Sequence, residues 1–213
     1  MTGRPDRREA RILVKVGDVP EMVRLEKELI QSPAWGWVST RIVLPWAVRG
    51  LGREMAGRLL EIGAGTGANA ERLLERYADL EVVVTDYDPD MVARASRRLA
   101  RFGDRARVER VDARALPYED AAFDLVLALG VLHHVGEWEL AIAEAARVLR
   151  PGGRLVLADL LGAFFAPFPI RRWFPPARTY TFRQLEAALA EAGFRRWRPT
   201  RVLRFSYRAV AER

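Results

Sequence analysis

Short apolar runs alternate with helical segments along most of this chain, and that alternation restricts its fold more than any other feature. Between the runs, apolar residues recur at helical intervals in segments 68–77, 89–99 and 138–149. Because the runs carry few polar interruptions, they are typical of parallel strands with helices on both faces of the sheet. Five runs are predicted as strands: Arg58–Ile62, Glu81–Thr85, Arg107–Val111, Phe123–Leu129 and Arg154–Asp159.

The C-terminal end of the chain predicts one more helix followed by a hairpin. Thr181 is a favourable N-cap for a helix over 181–192, and Gly193 is a favourable residue to close it. Two strand-like runs follow, at about 195–203 and 204–211, with room for only a short turn between them. Strands joined by a short turn pair antiparallel, so the sheet is expected to end in an antiparallel strand.

The N-terminal part has a different pattern and predicts a helical cap, not a second full domain. Segment 21–30 is amphipathic, and the pair Ser32-Pro33 is typical of a helix start. Pro45 is expected to bend or end the helix that begins there. The predicted organisation has three named parts: a helical cap at 1–56, an α/β domain at 57–213, and an aromatic, proline-rich loop at 160–180 within that domain.

The absence of cysteine among 213 residues removes several chemistries. Disulfides, thiolate metal sites, thiol nucleophiles and iron–sulfur clusters are excluded, and no metal site is predicted. Half of the residues are hydrophobic and 30% are charged, which is the balance of an ordinary soluble globular chain. No apolar run reaches the roughly 18 residues of a membrane span. Residues 1–16 contain no uninterrupted apolar stretch of the export type, so the cytoplasm is the expected compartment.

The formal net charge of +7 is concentrated at the two ends of the chain. Residues 1–15 carry a net +3 and residues 194–213 a net +6, whereas residues 16–193 carry a net −2. A near-neutral body argues against a nucleic-acid partner, and we interpret the high arginine content as genome or thermal bias. The basic ends keep two possibilities open, RNA as a substrate and peripheral contact with an anionic membrane.

The glycine-rich run GAGTG at 63–67 joins the first predicted strand to its helix. Glycines there permit positive φ angles and let a ligand approach the backbone beside a helix N-terminus, where N–H groups are available. Gly63, Gly65 and Ala68 also fit the dinucleotide-binding pattern. The run alone therefore does not separate a nicotinamide oxidoreductase from other nucleotide-binding proteins, or from a tight turn without a ligand.

Two acidic residues at the ends of successive strands favour an adenosine ligand. Asp86 follows the second strand, where its carboxylate can accept hydrogen bonds from ribose hydroxyls. Asp112 follows the third strand, where it can accept a bond from an adenine amino group while the Ala113 N–H reaches the ring. This pair suits an adenosine group without a pyrophosphate, although each acid alone could be a helix N-cap.

With these residues in place, the sequence resembles the class I S-adenosylmethionine-dependent methyltransferases. The matching segments occur in family order over residues 58–160, about half of the chain: LLEIGAGTG (Leu59–Gly67), VVVTDYDPDM (Val82–Met91), VERVDARALPYEDAAFDLVLALGVLHHV (Val108–Val135) and RVLRPGGRLVLAD (Arg147–Asp159). The last two of these segments are most similar to the branch that methylates quinones, lipids and other small molecules.

The resemblance implies a fold, a cofactor and a set of contacts. The fold is a Rossmann-like α/β sheet of seven strands, mostly parallel with an antiparallel final strand and helices on both faces. The cofactor is S-adenosyl-L-methionine, and its product is S-adenosyl-L-homocysteine. The implied contacts are Glu61 near the amino group, Gly63, Ala64 and Gly65 with Gly67 of the same turn against the methionine portion, Asp86 on the ribose, Tyr87 on the adenine face, Asp112 and Ala113 at the adenine edge, and the backbone near Leu129 closing the methionine pocket.

The only two histidines, His133 and His134, follow the fourth strand and are the candidate catalytic residues. The sulfonium carries an activated methyl group, so the protein mainly aligns the acceptor and excludes water. A base is needed only when the acceptor must lose a proton, as a phenol or enol does. The two rings either supply that base or orient the loop through hydrogen bonds.

Two regions outside the cofactor motifs are candidates for choosing the acceptor. The cap contributes Trp37 and Arg41, and the 160–180 loop contributes Phe165 and Trp173. An aromatic, proline-rich loop over a cleft suits a lipophilic or aromatic acceptor.

The predicted function is methyl transfer to an O, N or C atom of a small, apolar or aromatic acceptor. The alternatives are a phospholipid methyltransferase at the membrane surface, an RNA methyltransferase, and a cofactor-binding protein without turnover. A nicotinamide oxidoreductase is disfavoured because it gives Asp112 no role. The sequence does not fix the acceptor or the oligomeric state.

Overall fold

A computed structural model describes most of the α/β region and part of the N-terminal cap. Its described residues are 28, 31–51, 55–160, 180–203 and 206–213, without the side chains of 160, 198–203 and 206. The predicted helix at 21–30, apart from Glu28, and the loop at 160–180, apart from its two end residues, lie outside this part of the chain.

Seven strands form one sheet in the spatial order β3-β2-β1-β4-β5-β7-β6. The first five run parallel, whereas β7 pairs antiparallel with both β5 and β6. The predicted Rossmann-like sheet and its antiparallel final strand are confirmed. The strands are β1 (Gly57–Ile62), β2 (Leu80–Asp86), β3 (Ala106–Arg110), β4 (Phe123–Leu129), β5 (Leu149–Leu160), β6 (Arg196–Leu203) and β7 (Ser206–Glu212).

Helices cover both faces of this sheet and bury an apolar core on each. One core joins α5 and α6 to the sheet, and the other joins α2, α3 and α4 to it. The described helices are α1 (Pro33–Val38), α2 (Leu44–Ala47), α3 (Ala68–Arg76), α4 (Pro89–Leu99), α5 (Trp138–Val148) and α6 (Phe182–Glu191), with a π-helical turn at Ser39–Val43 and 3₁₀ turns at Ala100–Arg105 and Leu132–His134. Within the described residues, no helix is long and apolar enough to cross a membrane.

The strand order places a crevice between β1 and β4. The chain adds β2 and β3 on one side of β1 and then returns to add β4 and β5 on its other side. At such a switch point the connections leave β1 and β4 in opposite directions, so ligands of open α/β sheets bind outside the carboxyl ends of these strands. The glycine turn after β1 and the histidines after β4 therefore lie at the edge where a ligand is expected.

The N-terminal helix continues two residues past Pro45, which was expected to bend or end it. Ser32 caps the helix as expected, accepting a hydrogen bond of 3.1 Å from the Trp35 N–H. The helix does not end at Pro45, however, because the backbone widens into a π turn at Ser39–Val43 immediately before it. Pro45 has no N–H to donate, and the wider turn lets the helix continue without that bond.

Arg147 on α5 ties the segment between β3 and β4 to the core. Its guanidinium donates to the carbonyl oxygens of Leu116 at 2.9 Å and Tyr118 at 2.7 Å, and it pairs with Asp120 at 2.8 Å. Glu144, one turn earlier, holds the same guanidinium and accepts from the Leu116 N–H at 2.7 Å. These bonds hold the backbone of the segment between β3 and β4, which is neither helix nor strand.

Arg147→Ala is expected to lower the free energy of unfolding by about 2–3 kcal/mol, because several charge-assisted hydrogen bonds are lost together. The matched control is Arg150→Ala, which removes an exposed arginine paired with Asp124. A surface pair of that kind contributes roughly 1 kcal/mol or less. Urea unfolding of both variants measures the difference, and equal losses would contradict the assigned role of Arg147.

Candidate cofactor and acceptor site

The glycine turn after β1 requires glycine for two separate reasons. Gly63, Gly65 and Gly67 have φ angles of 64°, 56° and 74°, a region that side chains disfavour. In addition, a Cβ atom on Gly63 would overlap the Val131 side chain. Because Val131 belongs to the segment that leads from β4 to the histidines, this contact brings the glycine turn and the histidine turn together.

Asp86, at the end of β2, holds the glycine turn in place. One carboxylate oxygen accepts a hydrogen bond of 2.8 Å from the Gly65 N–H, and the other accepts one of 2.9 Å from the Asp88 N–H. Burial raises the pKa of Asp86, and the two backbone donors oppose that rise. The carboxylate therefore lies beside the glycine turn, where the sequence predicts a ribose contact, and that contact stays a prediction.

Glu61 is a buried carboxylate on β1, two residues before the glycine turn. The residue is only 1% exposed, and this burial raises the pKa of its carboxyl to about 7. Hydrogen bonds from the Asn69 side chain and the Ala70 N–H oppose the rise. Asp86 adds a smaller rise through its charge. Among the described residues, no group hydrogen-bonds Glu61 Oε2. A buried acid with one oxygen unsatisfied suits a cationic ligand group at this position.

The cap reaches this carboxylate through one side chain. Ser39 Oγ donates a hydrogen bond of 2.9 Å to Asn69 Oδ1. Since Oδ1 accepts from Ser39, the amide nitrogen of Asn69 is the atom that donates to Glu61. The π turn that contains Ser39 is therefore connected to the buried acid of the candidate site.

Asp112 is held by an arginine that sequence reasoning missed. The Arg114 side chain is 2% exposed, and its guanidinium makes a two-pronged contact with the Asp112 carboxylate, 2.8 Å at the shortest. The same guanidinium pairs with Glu137 at 3.0 Å. Arg114 thus joins the segment after β3 to the segment before α5. Its position two residues after a strand-end acid was the only sequence signal for this role.

Tyr87 and Ala113 lie beside these two acids. The Arg110 Nε donates a hydrogen bond of 3.0 Å to the Tyr87 carbonyl oxygen, and its guanidinium lies over the Tyr87 ring, 5.3 Å from the centroid. Tyr87, Ala113, Ala64 and Leu129 are all partly buried. The cofactor contacts that the resemblance implies for these four residues stay predictions.

His133 is paired with a carboxylate that was not predicted. Its ring Nδ1 forms a short hydrogen bond with Asp159 at the end of β5, and its backbone N–H donates to the same carboxylate at 3.2 Å. The His134 ring lies against the His133 ring, with 3.9 Å between the centroids. An acid at the end of β5, like the acid that ends β2 and the one two residues after β3, was the available signal for Asp159.

The candidate acceptor residues are only partly located. Trp37 is 59% exposed and Arg41 is exposed, both on the helical cap. Phe165 and Trp173 lie outside the described residues. In the part of the chain that the structure describes, no three His, Asp or Glu side chains form a group suited to a metal ion.

Comparison with protein families matches residues 60–157 to a model described as a methyltransferase domain. Among curated proteins, the chain is 46% identical over 106 residues to the 27-O-demethylrifamycin SV methyltransferase of Amycolatopsis mediterranei, covering 49% of this chain and 39% of that protein. It is 41% identical over 102 residues to the demethylmenaquinone methyltransferase of Thermus thermophilus, covering 48% and 46%. The chain spans about half the length of these relatives or less.

Two solved structures share the fold. A methyltransferase from Aquifex aeolicus that is described as S-adenosylmethionine-dependent superposes with a TM-score of 0.72 at 18% identity, covering 90% of this chain and 99% of that one. The [4+2]-cyclase SpnF superposes with a TM-score of 0.61 at 30% identity, covering 74% and 58%. The second likeness means that the reaction must be argued from the site and not from the fold.

The raised pKa of Glu61 has a consequence for stability. The folded carboxyl, with its pKa of about 7, retains a proton between about pH 4.5 and 7, whereas the unfolded one loses it. The folded state then binds more protons, so the free energy of unfolding falls as pH rises through this window. Relative to Glu61→Gln, the wild type is expected to lose about 2–3 kcal/mol between pH 5 and 8.

Urea unfolding at a series of pH values, without ligands, measures this difference. Glu139→Gln, which changes an exposed glutamate on α5, is the matched control and should parallel the wild type. Parallel curves for wild type and Glu61→Gln would show that burial of this carboxyl does not raise its pKa.

Proposed function

We propose that this chain transfers a methyl group to an ionisable hydroxyl of a small aromatic acceptor. The methyltransferase-domain match over residues 60–157 and the curated relatives together support a class I S-adenosylmethionine-dependent methyltransferase of the small-molecule branch. The observation that carries this proposal is the His133–Asp159 pair beside the glycine turn. A histidine oriented by a carboxylate is the usual arrangement of a general base.

The residues around the glycine turn fit S-adenosylmethionine. The turn is too close to Val131 for any side chain on Gly63, and Glu61 presents an unsatisfied buried oxygen that a cationic amino group would satisfy. When bound, this cofactor supplies a methyl group already activated by its sulfonium. Glu61 and the turn at 63–67 would hold the methionine portion, and Asp86 would hold the ribose.

Asp112 and Tyr87 complete the proposed cofactor site. Arg114 fixes the Asp112 carboxylate from the protein side, and the carboxylate has further lone pairs to accept an adenine amino group. Tyr87 would pack its ring on adenine, and the Arg110 guanidinium lies over the same ring. Ala113 would contribute its N–H to the ring.

His133 would remove the proton from the acceptor. A carboxylate only accepts hydrogen bonds, so the short bond to Asp159 requires the proton on His133 Nδ1. In the neutral ring Nε2 then has the lone pair, and it is the atom that takes the hydroxyl proton. Asp159 keeps the ring in this tautomer and stabilises the imidazolium that forms. His134, whose ring lies against the His133 ring at an angle of 44°, would orient it.

An aromatic acceptor is supported by the cap and by the relatives. Trp37 is exposed beside Arg41 on the cap, and the cap reaches the cofactor site through Ser39 and Asn69. Two relatives are named for demethylmenaquinone, a quinone, and for 27-O-demethylrifamycin SV, a name that indicates methylation at an oxygen. We extend the acceptor site to Phe165 and Trp173 from their sequence alone.

One observation favours a second candidate. The likeness to the [4+2]-cyclase SpnF makes a cofactor-binding protein that catalyses a reaction other than methyl transfer the main rival. Release of S-adenosylhomocysteine separates the two candidates. The panel of acceptors should contain a naphthohydroquinone, substituted phenols, vesicles with phosphatidylethanolamine, and transfer RNA, so that the phospholipid and RNA alternatives are tested together. Cofactor binding without methylation of any member would favour the rival.

Asp86→Ala is expected to weaken S-adenosylhomocysteine binding by about 1.5–3 kcal/mol, because hydrogen bonds to a charged group are lost. Isothermal titration calorimetry measures the dissociation constant. Asp104→Ala, at an exposed acid in the 3₁₀ turn before β3, is the control and should bind as the wild type does. An unchanged dissociation constant for Asp86→Ala would remove the ribose assignment.

His133→Gln is expected to lower kcat by about 10²–10⁴-fold with the acceptor found in the panel, since general-base catalysis is of that size. Affinity for S-adenosylhomocysteine should stay within about twofold. His134→Gln, at the neighbouring ring, should keep most of the activity. Turnover by His133→Gln at the wild-type rate would show that no base is needed at this position.

A further inference from the structure

A chain of buried hydrogen bonds runs from β7 to His133. Tyr207 Oη lies 2.5 Å from Tyr180 Oη, which lies 3.1 Å from Asp159 Oδ2. Asp159 in turn binds both Nδ1 and the backbone N–H of His133. All four residues are buried, and the Trp138 ring packs on Tyr180 with 4.5 Å between the centroids.

The direction of these bonds follows from the number of protons available. Tyr180 has a single O–H, and the Asp159 carboxylate can only accept, so Tyr180 donates to Asp159. The bond between the two tyrosines must then be donated by Tyr207. Burial, first of all, raises the pKa of both phenols well above the usual value, so both remain protonated donors at neutral pH.

We propose that Tyr180 is a positioning residue that limits the basicity of His133 by sharing the charge of Asp159, with Tyr207 as the next member of the same chain. The proposed function gives this arrangement its catalytic purpose. The physical effect on the His133 ring, however, does not depend on which acceptor is methylated.

The mechanism is a competition for the negative charge of Asp159. A hydrogen bond from Tyr180 stabilises the carboxylate and withdraws charge from the oxygen that faces His133. A carboxylate without this donor attracts the imidazolium more strongly, so His133 holds its proton to higher pH. Tyr207 polarises Tyr180 and should act in the same sense, but more weakly because it is one bond further away.

Other titratable groups near His133 do not change the sign. Within the described structure, its titratable neighbours are His134 in the same turn, Asp159 from β5 and, through Asp159, the two tyrosines before α6 and on β7. Protonation of His134 would oppose that of His133, and it does so equally in every tyrosine variant. Differences between these variants therefore report the chain itself.

The ring of His133 can be titrated directly by NMR, because the protein has only two histidines. The imidazole carbon resonances are followed from pH 4.5 to 9, without cofactor or acceptor, and His134→Gln assigns them. Tyr180→Phe is expected to raise the midpoint of His133 by about 0.5–1 pH unit, and Tyr207→Phe by less. Asp159→Asn should lower it by about one unit or more, since the anionic partner is lost.

Tyr118→Phe is the matched control. Tyr118 also donates its hydroxyl to a carboxylate, that of the partly buried Glu109 on β3, at 2.6 Å. This variant should leave the His133 midpoint unchanged. A change common to all the phenylalanine variants would indicate general loosening and would overturn the proposal.

A Tyr180→Phe midpoint that is unchanged or lower, in a protein whose thermal unfolding still resembles the wild type, overturns the proposal. If Tyr180→Phe does not fold, Tyr207→Phe decides, because a rise there supports the chain and an unchanged or lower midpoint rejects it.

Failure of the proposed function has a different signature. Wild-type turnover by His133→Gln would remove the base, while the graded midpoints would still support the hydrogen-bond chain. The converse result is a loss of turnover by His133→Gln while the His133 midpoints of all three phenylalanine variants equal that of the wild type. That result would support His133 as the base and reject the role of Tyr180.

Discussion

The pairing of β1 with both β2 and β4 is the constraint on which the candidate site depends. It places three connecting segments at one edge of the sheet: the glycine turn after β1, the acid that ends β2, and the histidine turn after β4. Val131 packs where a side chain on Gly63 would otherwise lie, so the first and third segments are in contact. The glycine turn, where the cofactor is proposed to bind, and the histidine turn, which carries the proposed base, are therefore adjacent because β1 and β4 are neighbours. They form the two halves of the site.

Buried charge is compensated differently in the two halves. On the histidine side, Asp159 is surrounded by donors from His133 and Tyr180, so its charge is distributed over a network. On the glycine side, Glu61 has fewer donors, and its pKa is raised to about 7 by burial. A carboxylate left incompletely satisfied in this way is ready for a cationic ligand, whereas a satisfied one is suited to hold a neighbouring ring.

The parts of the site that the sequence predicted share a local signature. Gly63, Asp86 and Asp112 each stand directly after a predicted strand, and a strand end followed by glycine or an acid is visible without any structure. The first four strands were predicted to within one residue at each end, since burial on both faces leaves an apolar run, whereas β5 begins at Leu149, five residues before its predicted start. The π turn before Pro45 was not predicted, because a proline mid-helix normally signals a stop and the wider turn depends on how the cap packs.

What the sequence by itself determined is the order of strands and helices, the positive-φ glycine turn and the acids at the strand ends, because each follows from local periodicity or from backbone freedom. Only the tertiary structure decided which side chains meet. Arg114 reaches both Asp112 and Glu137, and His133 reaches Asp159, which is 26 residues away along the chain. Such pairs are set by which strands become neighbours in the sheet, and no local pattern around either partner records that choice.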